Sequence, residues 1–522
     1  MACALTVIPI LPVCGASKEE KKMVRRMSFT ITVMMGVSMM SNFLTCSATP
    51  QEKVRSAANA GAFYPADPKE LTTMVDLFLS EAHIPVIEGT IYGLVVPHAG
   101  YVYSGPVAAY SYALLKNKKI TRVVVISPSH VTAFYGSAVY NGSAYDTPLG
   151  KVPVDMEFCK KLAELDPGIK LSSEGHETEY QGRMEHALEV QLPFLQRVLK
   201  NFVLVPIIMG DQTYESCRAL GLALAKLITD NQTIIVASSD LSHYHPYAEA
   251  KNLDSKVLKA IEEWDYFNLC RNIRMDTWEA CGGGPIAAMM IAVEQRGATT
   301  AKVMKYANSG DTAGDKSRVV GYSAVVLFKD AHKNESAEEE FTLTPAEKKY
   351  LLDLAKKSVA SAVQTGKRIE CSDGGFKDLS LDRGAFVTLT IDGQLRGCIG
   401  YTSPFQALYS TVRDVAFQAA LNDPRFSAVS KEELSKLNYE ISVLSPLRKV
   451  TDIKKIVVGK HGLLIKKGRA EGLLLPQVAS EYNWDRDTFL QQTCHKAGLP
   501  ANAWQDKETD IFYFSALVFG EE

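Results

Sequence analysis

From Val54 to about Lys329, apolar residues gather into runs of strand length separated by stretches of helical character. The runs at residues 91–97, 122–127, 202–209, 233–237 and 322–328 are rich in Val and Ile and nearly continuous, as strands buried on both faces should be. Residues 106–115, 187–199, 214–228 and 248–263 read as the helices between them. Strands alternating with helices predict an α/β domain with a mainly parallel sheet covered by helices.

Beyond that region the pattern changes. Residues 330–341 are polar and acidic, as a linker would be. Thr344 is then a helix N-cap, Pro345 sits at the first helical position, and Glu347 completes a capping box, so a helix should run to about residue 364. Apolar runs at 385–391 and 394–399 flank Asp392-Gly393, a strong hairpin signal. Helices at 404–421 and 486–497, with strands at 439–444, 462–466, 472–475 and 511–519, complete a smaller α+β domain. A chain of 522 residues is too long for one hydrophobic core, and the division is a domain at 54–329, a linker, and a domain at 342–522.

Residues 1–53 stand apart. A basic stretch at 18–26, an apolar stretch at 27–46 and the small residues Cys46, Ser47 and Ala48 follow the order of a secretory signal, with Met23 a natural start. Export or membrane attachment is the expectation, with a cytoplasmic location the alternative. Ten cysteines are present, three of them (Cys3, Cys14, Cys46) in this segment. The other seven form no CxxC pair, which argues against a disulfide framework or a structural zinc site. With 57 basic and 59 acidic residues the chain has no basic footprint for nucleic acid. It has no phosphate-loop motif either.

The candidate chemistry lies at the strand ends. The run at 91–97 is followed by His98, that at 122–127 by Pro128-Ser129-His130, and that at 233–237 by Ser238-Ser239-Asp240-Leu241-Ser242-His243. In an open α/β sheet the carboxyl edge is where ligands bind, so parallel neighbours would bring these residues into one crevice. Neutral imidazoles with a carboxylate suit iron, copper or zinc. Asp240 is either part of that site or a helix cap. Cys281 opens Cys281-Gly282-Gly283-Gly284-Pro285 before an apolar helix. It is either a ligand whose thiolate the helix N-terminus favours or a buried packing residue. His186 lines the cleft or stands behind its ligands, and Glu189 shares its face. His176 and His245 read as surface residues.

Residues 54–329 resemble the Memo family throughout. The matching segments are Ala60-Gly61-Ala62-Phe63-Tyr64-Pro65, Val96-Pro97-His98-Ala99-Gly100-Tyr101-Val102-Tyr103-Ser104-Gly105, Ser127-Pro128-Ser129-His130, Ser238-Ser239-Asp240-Leu241-Ser242-His243 and Cys281-Gly282. The resemblance implies a fold like that of class III extradiol ring-cleaving dioxygenases. It also implies iron or copper held by His98, His130 and Cys281, with Asp240 and His243 beside them; in a metal-dependent enzyme Asp240 or His243 would be the catalytic group that handles protons. A cysteine where the dioxygenases use a carboxylate puts ring cleavage in question. Some members of the family are described as peptide-binding modules.

In the second domain, Leu395-Arg396-Gly397-Cys398-Ile399-Gly400 sets an arginine beside a thiol. Cys398 is either a reactive, catalytic thiol whose pKa Arg396 lowers or a core residue among glycines that relieve crowding. This hexapeptide, with Asn422-Asp423-Pro424-Arg425-Phe426, resembles the AMMECR family over residues 341–522. In prokaryotes that domain, the Memo-like domain and a radical S-adenosylmethionine protein form the set called AmmeMemoRadiSam. The resemblance therefore implies a radical S-adenosylmethionine partner encoded elsewhere, whose triple-cysteine cluster motif this chain lacks.

Overall fold

The structure, a computed structural model, describes residues 52–332 and 341–521. The signal-like segment and most of the acidic linker lie outside these residues. Among the described residues no helix is long and apolar enough to cross a membrane.

The first domain is built on nine strands: β1 (Gly89–Val96), β2 (Arg122–Pro128), β3 (Ser137–Val139), β4 (Ile169–Leu171), β5 (Val203–Met209), β6 (Thr233–Ser238), β7 (His243–His245), β8 (Thr300–Asn308) and β9 (Val319–Asp330). Their order is β7-β9-β1-β6-β2-β5-β3-β4, with β8 paired to β9. Strands β1, β6, β2 and β5 are parallel neighbours, and almost every residue in them is buried, which accounts for their unbroken apolar runs.

The sheet is mixed, whereas the strand–helix alternation predicts a mainly parallel one. Strand β9 runs antiparallel to β1, β8 antiparallel to β9, and β3 antiparallel to β5. Strand β9 carries the apolar run expected at 322–328, but such a run does not give a strand's direction, and the signals for the others are weak for physical reasons. Strand β8 is only partly buried, so it shows no apolar run, and three-residue strands such as β3 and β4 are too short to show a period. A second difference concerns proline. The helix predicted from Pro106 starts at Tyr101, right after Gly100, and carries Pro106 inside it, while the one predicted from Pro404 begins at Leu408. Pro345 does open its helix, because Thr344 and Glu347 make the reciprocal capping bonds around it.

In the second domain a seven-stranded sheet is antiparallel throughout: β10 (Ala385–Ile391), β11 (Gln394–Tyr401), β12 (Asn438–Leu444), β13 (Arg448–Lys449), β14 (His461–Lys467), β15 (Ala470–Leu474) and β16 (Asp510–Gly520). The β10–β11 turn has positive φ at both Asp392 (51°) and Gly393 (74°), the two-residue hairpin geometry that this dipeptide favours. Helices Pro345–Thr365 and Leu408–Leu421 cover one face over the core around Leu351, Val387, Ile399 and Val412.

The two domains share an apolar core. Phe512 of β16 packs against Phe267, 5.1 Å between ring centroids, and near Tyr214 and Tyr266. Beside this contact Asp510, only 3% exposed, accepts from the Tyr214 hydroxyl at 2.9 Å and pairs with Arg218 at 2.6 Å and Lys449 at 2.8 Å. A buried carboxylate with two cations is costly to break by halves. Asp510→Ala should lower the free energy of unfolding by about 3–5 kcal/mol in urea titrations. A loss below about 1 kcal/mol would mean that the interface relies on its apolar contacts alone.

Candidate metal site

Because β1, β6, β2 and β5 are parallel, the loops after them share one edge of the sheet. His98 stands after β1, Asp240 after β6, His130 after β2, and Gln212 after β5. Cys281 reaches the same place from the loop before helix Gly283–Gln295. Ligand atoms of His98, His130 and Cys281 lie within 4.8 Å of one another, and so do those of His130, Glu185 and His186. A metal ion can occupy either group. The thiol of Cys281 is 3.0 Å from His98 Nε2, and the rings of His98 and His130 meet edge to face at 5.1 Å.

Hydrogen bonds fix the tautomer of each ring. Ser238 Oγ donates to the Ala187 carbonyl at 2.7 Å and accepts from Gln191 Nε2 at 2.9 Å. It therefore has a lone pair but no proton left for His98 Nδ1, 2.8 Å away. His98 must donate from Nδ1, and its Nε2 lone pair faces Cys281. His130 Nδ1 lies 2.9 Å from Glu185 Oε1, and a carboxylate can only accept, so in its neutral form the second ring also presents Nε2 as an acceptor. Glu185 also accepts the backbone N–H groups of His130 at 2.5 Å and of His186 and Ala187 at 2.9 Å.

Charge follows from burial. Desolvation, then the neighbouring His130, hold His98 well below the usual imidazole range. Burial and His98 bring His186 down to about 3. Both rings are therefore neutral, the form that binds metal. Burial alone would raise Glu185, yet the His130 hydrogen bond and charge hold it at about 2. The same pairing raises His130 against the desolvation that would lower it. Burial, then Asp240, pushes the Cys281 thiol well up, so its proton stays on unless a cation is present; the helix N-terminus does not by itself supply the thiolate, one of the two alternatives read from the sequence.

Asp240 lies beside the His98 ring and caps no helix among the described residues. Its Oδ1 accepts the backbone N–H of His98 at 2.7 Å and of Ala99 at 3.3 Å, tying the end of β6 to the end of β1, and its Oδ2 lies 3.9 Å from His98 Nε2. Desolvation raises its carboxyl. His243 flanks the group, close enough to act on the charges of His98 and Asp240, but is not one of the clustered ligands. Gly282 is needed for close approach, since a Cβ there would come within 2.1 Å of the Ser238 carbonyl oxygen.

The segment 185–191 does more than its sequence announces. His186 enters the cleft, stacked between Phe63 at 4.3 Å and His130 at 4.7 Å. Glu185, given no role in the sequence reading, orients His130, while Gln191 and Ala187 hold Ser238. Glu189 turns away into a buried pair with Arg55, bonded also to Asn59 and Tyr64. Four polar residues within seven, immediately before an apolar helix, were the available signal.

One further expectation is corrected. His176 is fully buried rather than on the surface, bonded to the Ala138 carbonyl and the Tyr145 hydroxyl, whereas His245 is partly exposed between Glu249 and Glu279. Cys398 is 3% exposed, and its sulfur accepts from Thr388 Oγ1 at 3.2 Å. Arg396 does not attend it. A bulge between Leu389 and Thr390 on the partner strand leaves Arg396 out of the pairing, and its guanidinium pairs with Glu433 at 2.7 Å and the Ser427 carbonyl at 2.9 Å. The cation invoked to activate this thiol is committed elsewhere.

The arrangement defines an α/β protein with a candidate His/His/Cys metal site, joined to an antiparallel α+β domain. Residues 55–326 match the family described as Memo-like protein, and residues 352–519 match the one described as AMMECR1. A MEMO1 family protein of Methanopyrus kandleri is 37% identical over 284 residues, spanning 52% of this chain and 98% of that protein. One from Methanocaldococcus jannaschii is 37% identical over 291 residues, spanning 53% of this chain and 99% of that one. The crystal structure of an uncharacterized protein from Pyrococcus horikoshii is 38% identical, covering 35% of this chain and 95% of its own, with a TM-score of 0.33. The chain belongs to the Memo family and carries an AMMECR1 domain behind its Memo domain.

Burial lowers the pKa of His176 from 6.5 to about 3, which yields a pH prediction. Above the ordinary value the residue is neutral, folded or unfolded, and contributes no pH dependence. Between 6.5 and about 3 the unfolded chain binds a proton that the folded one refuses, so stability falls with pH at about 1.4 kcal/mol per unit for this group. Urea unfolding between pH 7 and 4 should show a slope smaller by about one proton in His176→Gln. An unchanged slope would show that His176 is protonated in the fold.

Proposed function

We propose that the Memo domain binds a transition-metal ion, iron or copper, through His98, His130 and Cys281, and serves redox or dioxygenase-like chemistry together with a radical S-adenosylmethionine partner. The observation that carries this reading is the pair of oriented rings: Ser238 and Glu185 each accept the Nδ1–H of one ring, so that the neutral rings turn two Nε2 lone pairs toward one sulfur. Two imidazoles and a soft thiolate favour iron, copper or zinc over magnesium or calcium. Bound there, such an ion would supply Lewis acidity and, for iron or copper, one-electron chemistry.

The chain's own groups have definable parts. Ser238 and Glu185 orient the rings. Asp240, with its pKa raised and one oxygen 3.9 Å from His98 Nε2, is placed to accept or return a proton beside the reacting centre, with His243 next to it. The thiol where the dioxygenases carry a carboxylate speaks for a reaction other than ring cleavage.

Elemental analysis of the full chain purified without oxygen should find about one iron or copper, and His98→Ala or His130→Ala should lose it. Ser238→Ala, which removes the acceptor for His98 Nδ1–H together with the hydroxyl's bonds to the Ala187 carbonyl and Gln191, should weaken metal binding about 10- to 100-fold. Protein that stays free of metal after reconstitution, or a His98→Ala variant that retains a full equivalent, would refute the site.

A further inference from the structure

The three candidate ligands are not held alike. The side chains of His98 and His130 are fixed by Ser238 and Glu185, both in the Memo domain. Cys281 stands in the loop between helices Tyr266–Arg274 and Gly283–Gln295, and that loop is gripped by the second domain. Three residues before Cys281, Trp278 donates its indole N–H to Asp382 Oδ2 at 2.9 Å, and Lys256 lies 3.1 Å from the same oxygen. In the last turn of the helix before the loop, Asn272 donates to the Pro404 carbonyl at 2.8 Å while its own backbone carbonyl receives the Thr277 N–H and hydroxyl, each at 3.0 Å. From the other side, Gln212 donates to the Cys281 carbonyl at 2.9 Å and accepts the Gly284 N–H at 2.7 Å. Two residues further on, Tyr214 is bonded to Asp510 of the second domain at 2.9 Å.

This matters because a cysteine has no second polar atom by which a neighbour can aim it. An imidazole is oriented through its other nitrogen, whereas the Cys281 sulfur, apart from its contacts with the Asp240 N–H at 3.2 Å and carbonyl at 3.5 Å, follows its backbone. The loop here is irregular and includes Asp276 in the left-handed region, φ 54°, a conformation that surrounding packing must maintain. The archaeal relatives match over 98–99% of their own length to about half of this chain, so their matched region leaves almost no room for such a brace in the same polypeptide.

Building on the metal reading, we propose that the AMMECR1 domain is the positioning element for the thiol ligand. Asp382 and Asp510, holding Trp278 and Tyr214 on either side of Cys281, set where its sulfur stands relative to His98 and His130. Trp278 and Tyr214 are thus positioning residues for a metal that they do not touch.

Cobalt(II) titration of the metal-free full chain tests this. The wild type should give a sulfur-to-cobalt charge-transfer band that is absent in Cys281→Ser. In the Tyr214→Phe/Trp278→Phe double variant the band should shift or weaken, and cobalt affinity should fall about 10- to 100-fold. Leu351→Ala, in the second domain's own core, should lower the unfolding midpoint yet leave band and affinity as in the wild type. An unchanged band and affinity in the double variant, or an equal loss in Leu351→Ala, would overturn the brace and leave the metal reading standing. No cobalt uptake by the wild type, or the same band in Cys281→Ser, would overturn the metal reading and the brace with it. Should the double variant fail to fold, Tyr214→Phe decides alone. It removes one oxygen and keeps the ring against Phe267 and Phe512, and a shifted band supports the brace while an unshifted one overturns it.

Discussion

Strands β1, β6, β2 and β5 are buried on both faces, so a polar side chain within them would lose its water without gaining a partner. Polar residues are therefore confined to the places where those strands stop. Because the four strands are parallel, they stop on the same edge, and His98, Asp240, His130 and Gln212 arrive there together. The location of the candidate site is thus a consequence of how the sheet avoids burying unpaired polarity. The antiparallel strands on both sides widen the sheet and deliver none of the clustered ligands.

Once at that edge, His98 and Asp240 are still buried, Gln212 is partly buried and His130 is the most exposed, and the buried groups must find partners. Ser238 shows how this accounting yields chemistry. Its single proton goes to the Ala187 carbonyl and its oxygen receives two donors, one of them His98, so the tautomer of that ring is decided by a hydroxyl outside the ligand set. Glu185 does the same for His130 while accepting three backbone N–H groups. Neutral rings at His98 and His186, a protonated thiol and the ionised Glu185 leave a pocket in which His130 is the one imidazole of the three that favours its proton.

The interface between the domains obeys the same rule on a larger scale. Phe512, Phe267 and Tyr214 supply apolar contact, while Asp510 and Asp382 are buried only because cations and N–H or O–H donors from the first domain meet them. A junction of this kind resists separation and transmits position, since moving one domain would strand charges on both sides. The Cys281 loop lies inside that junction.

Much of this organisation was legible in the sequence. Continuous Val and Ile runs mark strands buried on both faces whatever they pack against, and Asp392-Gly393 or Thr344-Pro345 act through local geometry, so hydrophobic period and turn chemistry were enough to separate two domains and to place three histidines at strand ends. Glu185, Gln191 and Ser238 were not legible as supports, because hydrogen-bond partners 47 to 140 residues apart leave no local trace. Glu189 and His176 were misjudged for the same reason, their environment being made by distant residues such as Arg55 and Tyr145. The fate of Cys398 turned on a bulge in its hairpin. The order of the strands, the mixed sheet and the grip of the second domain on the Cys281 loop depend on which surfaces bury one another, and that is decided only when the whole chain is packed.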